Sequence, residues 1–359
     1  MKILDWYILK RYLQTFFVML LLFVPIAIMV HVSEKIDKFK DNDVPLDAIL
    51  PFYLDYTIYI GFLLFSIFLF ISVIWFTSKL ANNTEVIAML SSGISFYRYL
   101  RPYMIGATII AFIALVGGMF VLPAASKGYN EFNFKYFKGG LQKAQQTSAL
   151  YKQVNDNDYI YVSSYDPAKK MAYNFSYEHF DGNRLVYKIN ARNIRWIEED
   201  TLYRLSGYKK RVIEETNDSI QEMRRVDAKF PFNIEDLSVV NYMAETLNYN
   251  ELNDFIEKER QSGSSLVNNH LLVKYKRISL PVSVFILTII AVAVASFKRR
   301  GGMGVNLAFG ILIAFTFVFF DKIFGVMAQK SDFSPMLAAW LPNIVFGIFA
   351  VYLLNNAKR

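Results

Sequence analysis

The side chains of this sequence that could do chemistry are few and badly spaced for catalysis. The three histidines, His31, His179 and His270, lie far apart and form no HExxH-type pair, so no metal site is expected. Cysteine is absent, which removes disulfides, thiolate nucleophiles and Cys-ligated zinc. Gly301-Gly302-Met303-Gly304 is a glycine turn without the lysine of a nucleotide-binding G-x-x-x-x-G-K-[ST] loop. The Ser and Asp residues of the central polar block fall in turns, with neither a G-x-S-x-G elbow nor a supporting histidine. What remains is charge at particular places: Glu85 at the start of a short segment, and basic residues at the ends of long apolar runs.

The segment Lys79–Pro102 reads KLANNTEVIAMLSSGISFYRYLRP. Asn82, Asn83 or Thr84 can cap a short helix near 83–93. Val86, Met89 and Leu90 share one face of it, and Gly93 ends it. Ser95 can cap the next helix, which carries Arg98 and Arg101. Such a helix is suited to docking into a soluble partner. Glu85 has two readings: a first-turn acid that complements the helix dipole for about 0.3–1 kcal/mol, or a contact to that partner.

These charges belong to a membrane layout. The chain has 359 residues, 54% of them hydrophobic, a mean hydropathy of +0.26 and a formal net charge of +8. Charged residues are 19%, below the quarter usual in soluble domains, so lipid solvates much of the chain. Six runs are long and apolar enough to span a bilayer: Leu13–Val32, Leu54–Ser78, Pro102–Leu122, Ile278–Phe297, Val305–Met327 and Pro335–Leu354. The first is too long for a removable signal peptide, and no small-residue cleavage site follows it. The runs fall three and three around a polar block, which divides the chain into 1–123, 124–276 and 277–359.

Lysine and arginine in short loops set the orientation. One side collects Lys2, Lys10, Arg11, Lys79, Arg98, Arg101, Lys298, Arg299, Arg300, Lys358 and Arg359, with only Asp5 and Glu85 against them. On the other side Lys35, Lys38 and Lys40 are diluted by Glu34, Asp37, Asp41 and Asp43. Both termini are therefore expected in the cytoplasm and the polar block outside. Lys274, Lys276 and Arg277 crowd the outer mouth of the fourth span, against this rule, and need a reason of their own.

Within the block the pattern changes to period two from Gln145 onward. Tyr159–Val162, Ala172–Phe180, Leu185–Ile189, Asn193–Ile197, Tyr203–Leu205 and Lys210–Ile213 read as strands, with Asp181-Gly182-Asn183 as a hairpin turn. The expected fold is an antiparallel sandwich, jelly roll or open barrel. Its aromatics are core residues or, at positions such as Tyr161 and Tyr187, the lining of a groove for acyl chains. An amphipathic helix near 250–262 follows, with Leu252, Phe255 and Ile256 on one face and Gly263 as its stop.

Glu85 to Ser95 resembles the coupling-helix region of the LptF/LptG (YjgP/YjgQ) permeases of the lipopolysaccharide exporter. The opening Leu4-Asp5-Trp6-Tyr7-Ile8 resembles the LDRYI-type start of LptG, with Trp6 in place of a basic residue. Phe320-Asp321-Lys322-Ile323-Phe324-Gly325 and Leu341-Pro342 are also more similar to LptG than to LptF. The three-plus-three layout agrees along the whole chain. The resemblance implies six transmembrane helices and an inserted periplasmic all-β jelly-roll-like domain in a bacterial inner-membrane protein. It implies a permease subunit rather than an enzyme, with no cofactor and no nucleic-acid partner.

The implied partners are a second LptF/LptG-type permease, a dimer of the cytoplasmic ATPase LptB, and the jelly-roll proteins LptC and LptA. Lipopolysaccharide would enter a cavity lined by spans one and five and pass into the β domain. Glu85 takes the place of the family's coupling acid, with Val86, Met89, Leu90 and Gly93 around it. His31 stands where relatives carry a basic residue that contacts lipid phosphates. Lys35, Lys38, Lys40, Lys274, Lys276 and Arg277 would then form a basic ring toward those phosphates, each worth about 1 kcal/mol near an anionic surface. The alternative for the ring is snorkelling to ordinary headgroups. The alternative for the whole chain is a mechanotransmission or sensor protein whose outer domain grips a protein.

Overall fold

The computed structural model describes residues 3–137, 147–166, 169–197, 202–214, 217–233, 242–264, 266–297 and 302–357. Gln145, Gly301 and the topogenic charges Lys2, Lys298, Arg299, Arg300, Lys358 and Arg359 lie outside the described residues. The chain folds as two compact units. One holds residues 1–37, 45–129 and 268–359, and the other 38–44 and 130–267.

The first unit is helical. Its elements are α1 (Ile3–Asp41), α2 (Leu46–Leu63), α3 (Phe65–Asn82), α4 (Glu85–Ser91) and α5 (Phe96–Val116). A π turn at Gly117–Val121 carries α5 into α6 (Leu122–Phe132). Late in the chain come α9 (Val267–Ala295), α10 (Gly302–Lys330) and α11 (Pro335–Asn356).

Among the described residues, 7 helical stretches are long and apolar enough to cross a membrane, against six expected. The extra one arises because α2 and α3 count as two helices. They meet at the single residue Leu64, whose φ −102° and ψ 7° lie close to helical values. The ladder passes through it: Leu64 N–H donates to Ile60 O, and Phe68 N–H donates to Leu64 O. One near-helical residue cannot reverse a chain, so α2 and α3 make one interrupted crossing.

Membrane helices cannot satisfy polar groups with water, so the inner stripes carry matched hydroxyls. In the first half of α1 the buried positions are Asp5, Ile8, Leu9, Tyr12 and Phe16, the spacing of one helix face. Tyr12 Oη lies 3.1 Å from Thr288 Oγ1 on α9. Thr77 Oγ1 donates to Tyr103 Oη at 3.1 Å, and Tyr103 Oη lies 3.0 Å from Tyr99 Oη. Helix α9 forms the centre, and its small residues Ala291, Ala293 and Ala295 are all buried.

The second unit is a sheet with short helices. The strands are β1 (Thr147–Gln153), β2 (Asp158–Asp166), β3 (Met171–Asp181), β4 (Arg184–Ile197), β5 (Leu202–Val212) and β6 (Ser219–Ala228). They pair antiparallel in chain order β1-β2-β3-β4-β5-β6, a meander compatible with a jelly roll. Some segments that read as separate strands are single long ones. Leu185–Ile189 and Asn193–Ile197 both lie in β4, and Tyr203–Leu205 and Lys210–Val212 both lie in β5.

The reason is a break in alternation that mimics a strand end. Buried positions are Ile160 and Val162 but then Tyr165 on β2, and Ile189 and Ala191 but then Ile194 on β4. On β5 they are Leu205 and then Tyr208. At the same level Asn174 and Gly207 adopt left-handed φ of 49° and 66°. One face thus stays apolar on both sides of the break. It holds Phe175, Tyr177, Ile194, Tyr203 and Leu205, covered by Phe230 and Phe232 from the segment after β6. The β3–β4 hairpin closes through Gly182-Asn183, with Gly182 at φ 60°, in line with its turn signal in the sequence.

After β6 come α7 (Met243–Thr246) and α8 (Tyr249–Gln261). Asn248 and Glu251 form a capping box on α8. Gly263, at φ 66°, ends it, with Ser264 N–H donating to Glu259 O. Leu252 and Ile256 are buried, and Phe255 is half-buried.

Candidate functional site

Glu85 opens α4, the short helix between the second and third crossings. Thr84 precedes it at φ 62°, and no side chain caps the helix. Asn83 and Thr84 are otherwise engaged. Asn83 Nδ2 donates to Glu85 Oε1 at 3.2 Å, and Thr84 Oγ1 donates to Asn83 O at 2.6 Å. Gly93 stops α4 at φ 86°, and Ser95 caps α5 by accepting from Arg98 N–H at 3.3 Å.

The apolar face of α4 turns inward. Val86 is fully buried, and Met89 and Leu90 pack against the helical core. This departs from the picture of a Val86–Met89–Leu90 face offered to a partner. These side chains find apolar cover within their own chain first. The outward face instead presents Ile87, 47% exposed, with Tyr97 of α5 50% exposed. Glu85 stands half-buried at the edge of α4.

Two residues of the α1 head reach this region. Tyr7 Oη donates to Glu85 Oε2 at 3.3 Å. Partial burial, and then the Glu85 carboxylate, push the Tyr7 phenol above its ordinary pKa, so it keeps its proton and donates. Arg98 donates to Asp5 Oδ2 at 2.7 Å, with the Asp5 side chain 8% exposed. Neither contact was read from the sequence. The available signal was Arg98 itself, a cation in the first turn of α5 and so on the unfavourable side of a helix dipole. Such a residue calls for an anion nearby.

The basic set has unequal surroundings. His31 is buried on α1, its Nδ1 3.3 Å from Tyr53 Oη and its ring packed at a tilt against Phe52 and Tyr56 at centroid distances of 5.5 and 4.6 Å. Aromatics therefore cover the residue that was expected to meet a lipid phosphate. Lys276 is also engaged: its Nζ lies 2.7 Å from Asp321 Oδ2 and 3.3 Å from Asp321 O. An acid one helix away takes the charge assigned to a lipid. Arg277 is buried. Lys35 and Lys274 are half-buried, and Lys38 and Lys40 are exposed.

Tyr161 and Tyr187 lie on opposite faces of the sheet. Tyr187 packs with the apolar face and stacks on Tyr177 at 6.1 Å, with Lys210 Nζ 4.7 Å above its ring. Tyr161 alternates with the buried Ile160 and Val162, and so points the other way, against the exposed Tyr151 at 4.4 Å. Reading Tyr161 as inward is corrected here.

Near Tyr187, Asp158 is buried and makes three hydrogen bonds. It accepts from His179 Nδ1 at 2.6 Å, from Asn155 Nδ2 at 2.6 Å and from Tyr177. Burial alone would raise its pKa. The hydrogen bonds outweigh this and hold the carboxyl below its ordinary 3.8.

Three membrane helices leave most of their apolar surface uncovered. In the most apolar windows of α2, α1 and α10 only 11%, 17% and 22% of residues are buried, against 67% in α9. Those faces await lipid or another subunit. The family comparison says which kind of protein has them. The model of the lipopolysaccharide export system permease LptF/LptG matches residues 6–356.

The chain belongs to the LptF/LptG family. It is therefore a multi-pass inner-membrane permease for lipopolysaccharide export, of a family of transporters rather than enzymes. The match runs through both helical groups and the inserted β domain. No curated protein matches the chain.

Proposed function

We propose that this chain is one of two permease subunits in an ATP-driven lipopolysaccharide exporter. It pairs with a second LptF/LptG-type permease, and a dimer of the ATPase LptB drives both. Its termini lie in the cytoplasm and its β domain in the periplasm. Residues 1–123 and 277–359 form the membrane part, and residues 124–276 the periplasmic part. The observation that carries this reading is the family match from residue 6 to residue 356. The short matches at Leu4–Ile8, Phe320–Gly325 and Leu341–Pro342 favour the G-type.

The physical task is extraction. Each acyl methylene wetted costs about 0.8 kcal/mol, so lifting a multi-chain lipid out of a bilayer needs an apolar path and an energy source. The uncovered faces of α1 and α10 supply a wall of the path, and within the β domain the apolar face of the sheet around Tyr187 is the surface that then takes the lipid. LptC and LptA receive the lipid. Glu85, Ile87 and Gly93 mark the ATPase contact, and Val86, Met89 and Leu90 set the seat of that helix. Lys35, Lys38, Lys40 and Lys274 are the cations left for lipid phosphates.

Purification with co-expressed neighbours, followed by mass analysis of proteins and bound lipid, tests this reading. The expected result is an LptB-type ATPase, a second six-span relative and lipopolysaccharide in one complex. A complex without ATPase and without lipid overturns it.

A further inference from the structure

The head of α1 touches both ends of the loop proposed to meet the ATPase. Tyr7 donates to Glu85 at the start of α4, and Asp5 pairs with Arg98 in the first turn of α5. The two contacts bracket the segment from Glu85 to Arg98. The Asp5 contact is the stronger kind, a charge-assisted bond at 2.7 Å with one partner out of water. From this anchor α1 runs without a helix break for 39 residues, about 58 Å at 1.5 Å per residue. Its inner stripe is locked to the bundle by Tyr12 on Thr288, while its outer face is the uncovered one. A shift of the loop therefore reaches the lipid-facing wall through one continuous helix, whose ladder lacks a donor at Pro25.

We infer that the Asp5–Arg98 ion pair is the positioning link through which movement of the α4–α5 loop is passed to α1. Asp5 and Arg98 touch neither lipid nor nucleotide. They hold α1 to the element that the ATPase moves. Breaking the pair would let the loop move under ATP hydrolysis while α1 lags behind. This inference rests on the reading of α4 as the ATPase contact and of α1 as a wall of the lipid path.

The test uses the full permease–ATPase complex in nanodiscs with lipopolysaccharide, and reads lipid transferred per ATP hydrolysed. Asp5→Asn and Arg98→Gln are expected to assemble and hydrolyse ATP as the parent does. Their transfer ratio should fall about 5-fold or more, the lower end of ordinary coupling energies. Asp5→Glu, which keeps the charge, should retain the ratio, and Asp5→Arg combined with Arg98→Asp should recover most of it. An unchanged ratio in both single variants overturns the inference. So does a loss that neither Asp5→Glu nor the exchange repairs, or a fall in assembly and ATP hydrolysis in step with transfer. A parent complex that binds no ATPase or moves no lipid overturns the underlying reading as well, and is told apart by the parent alone.

Discussion

Lys276 Nζ lies 2.7 Å from Asp321 Oδ2, joining α9 to α10 by an ion pair at the edge of an apolar bundle. Both side chains are about 30% exposed, so the pair is neither fully solvated nor dry. Removing one partner leaves a partly desolvated charge. Lys276→Met should cost about 1–3 kcal/mol, below the range for fully buried pairs. Lys276→Met with Asp321→Leu should restore most of the loss. Thermal unfolding in detergent checks both. Binding of phosphate-bearing lipid distinguishes the roles: the double variant should bind as the parent does, and reduced binding would return Lys276 to the lipid site.

The orientation of α4 makes its surface specific. Glu85→Ala should weaken ATPase association or coupling, and Glu85→Lys should do so more strongly. Ile87→Asp, on the outward face, should lower affinity by about 5- to 30-fold, the effect of losing about 1–2 kcal/mol at an interface. Val86→Asp should fail differently, by loss of folded protein, because Val86 is inside. Co-purification yield against membrane expression separates the two. Normal ATPase capture by Glu85→Lys and Ile87→Asp together would exclude this face.

Gly106 on α5 faces the ring of Tyr12. A Cβ there would come within 2.4 Å of Tyr12 Cδ1. The ring cannot swing aside without giving up its contact with Thr288. Gly106→Ala should cost about 1–3 kcal/mol, read as a lower unfolding temperature. Gly310→Ala, whose new Cβ meets the terminal methyl of Ile74, should cost less.

Asp158 links the β domain to pH. Its folded pKa lies below the ordinary 3.8, so between the two values the unfolded chain binds more protons. Stability from this group is present above about pH 4 and is lost as pH falls through the folded value. Asp158→Asn should flatten that acid limb. Hydrogen exchange of the β2 and β3 amides in the full chain, compared at acid and neutral pH, checks the sign.

A photocrosslinking residue at Tyr187 should capture lipopolysaccharide during ATP hydrolysis, and one at Tyr161 should not. Equal capture at both positions would mean that the apolar face of the sheet is not the route.

The membrane layout was legible because spans are long and uniformly apolar, a signal that survives any detail of packing. The single crossing built from α2 and α3 was legible as one run, yet its extension down to Leu46 was not, since Asp47, Pro51 and Asp55 dilute the hydropathy there. The Gly182-Asn183 turn and the Gly263 stop of α8 were readable because they depend on neighbours in sequence. The faces of α4 and of Tyr161 were not. An amphipathic helix shows which residues are apolar, but not whether its own chain or another covers them. On β2, Tyr159 and Tyr161 alternate with Ile160 and Val162, all of them core-type residues, so alternation there names no inner face; farther along, the left-handed residues Asn174 and Gly207 shift it by one. The surroundings of His31 and Lys276 were not legible for one reason: a basic residue in sequence carries no mark of the tyrosine or aspartate that meets it in space.

The apolar face of the sheet already has an occupant. Phe230 lies 5.1 Å from Tyr177, and Phe232 lies 5.0 Å from Tyr203, whose hydroxyl donates to Phe232 O at 2.6 Å. On the proposed route an acyl chain would not fill a vacant tube but compete for an occupied one, so transit would be an exchange of ligands. Lifting two phenylalanine rings costs about 3–6 kcal/mol, which about four to eight arriving methylenes offset at about 0.8 kcal/mol each. The step is then close to thermoneutral. A conduit of that kind holds its cargo weakly, rests shut when empty, and releases lipid onward without a second large barrier.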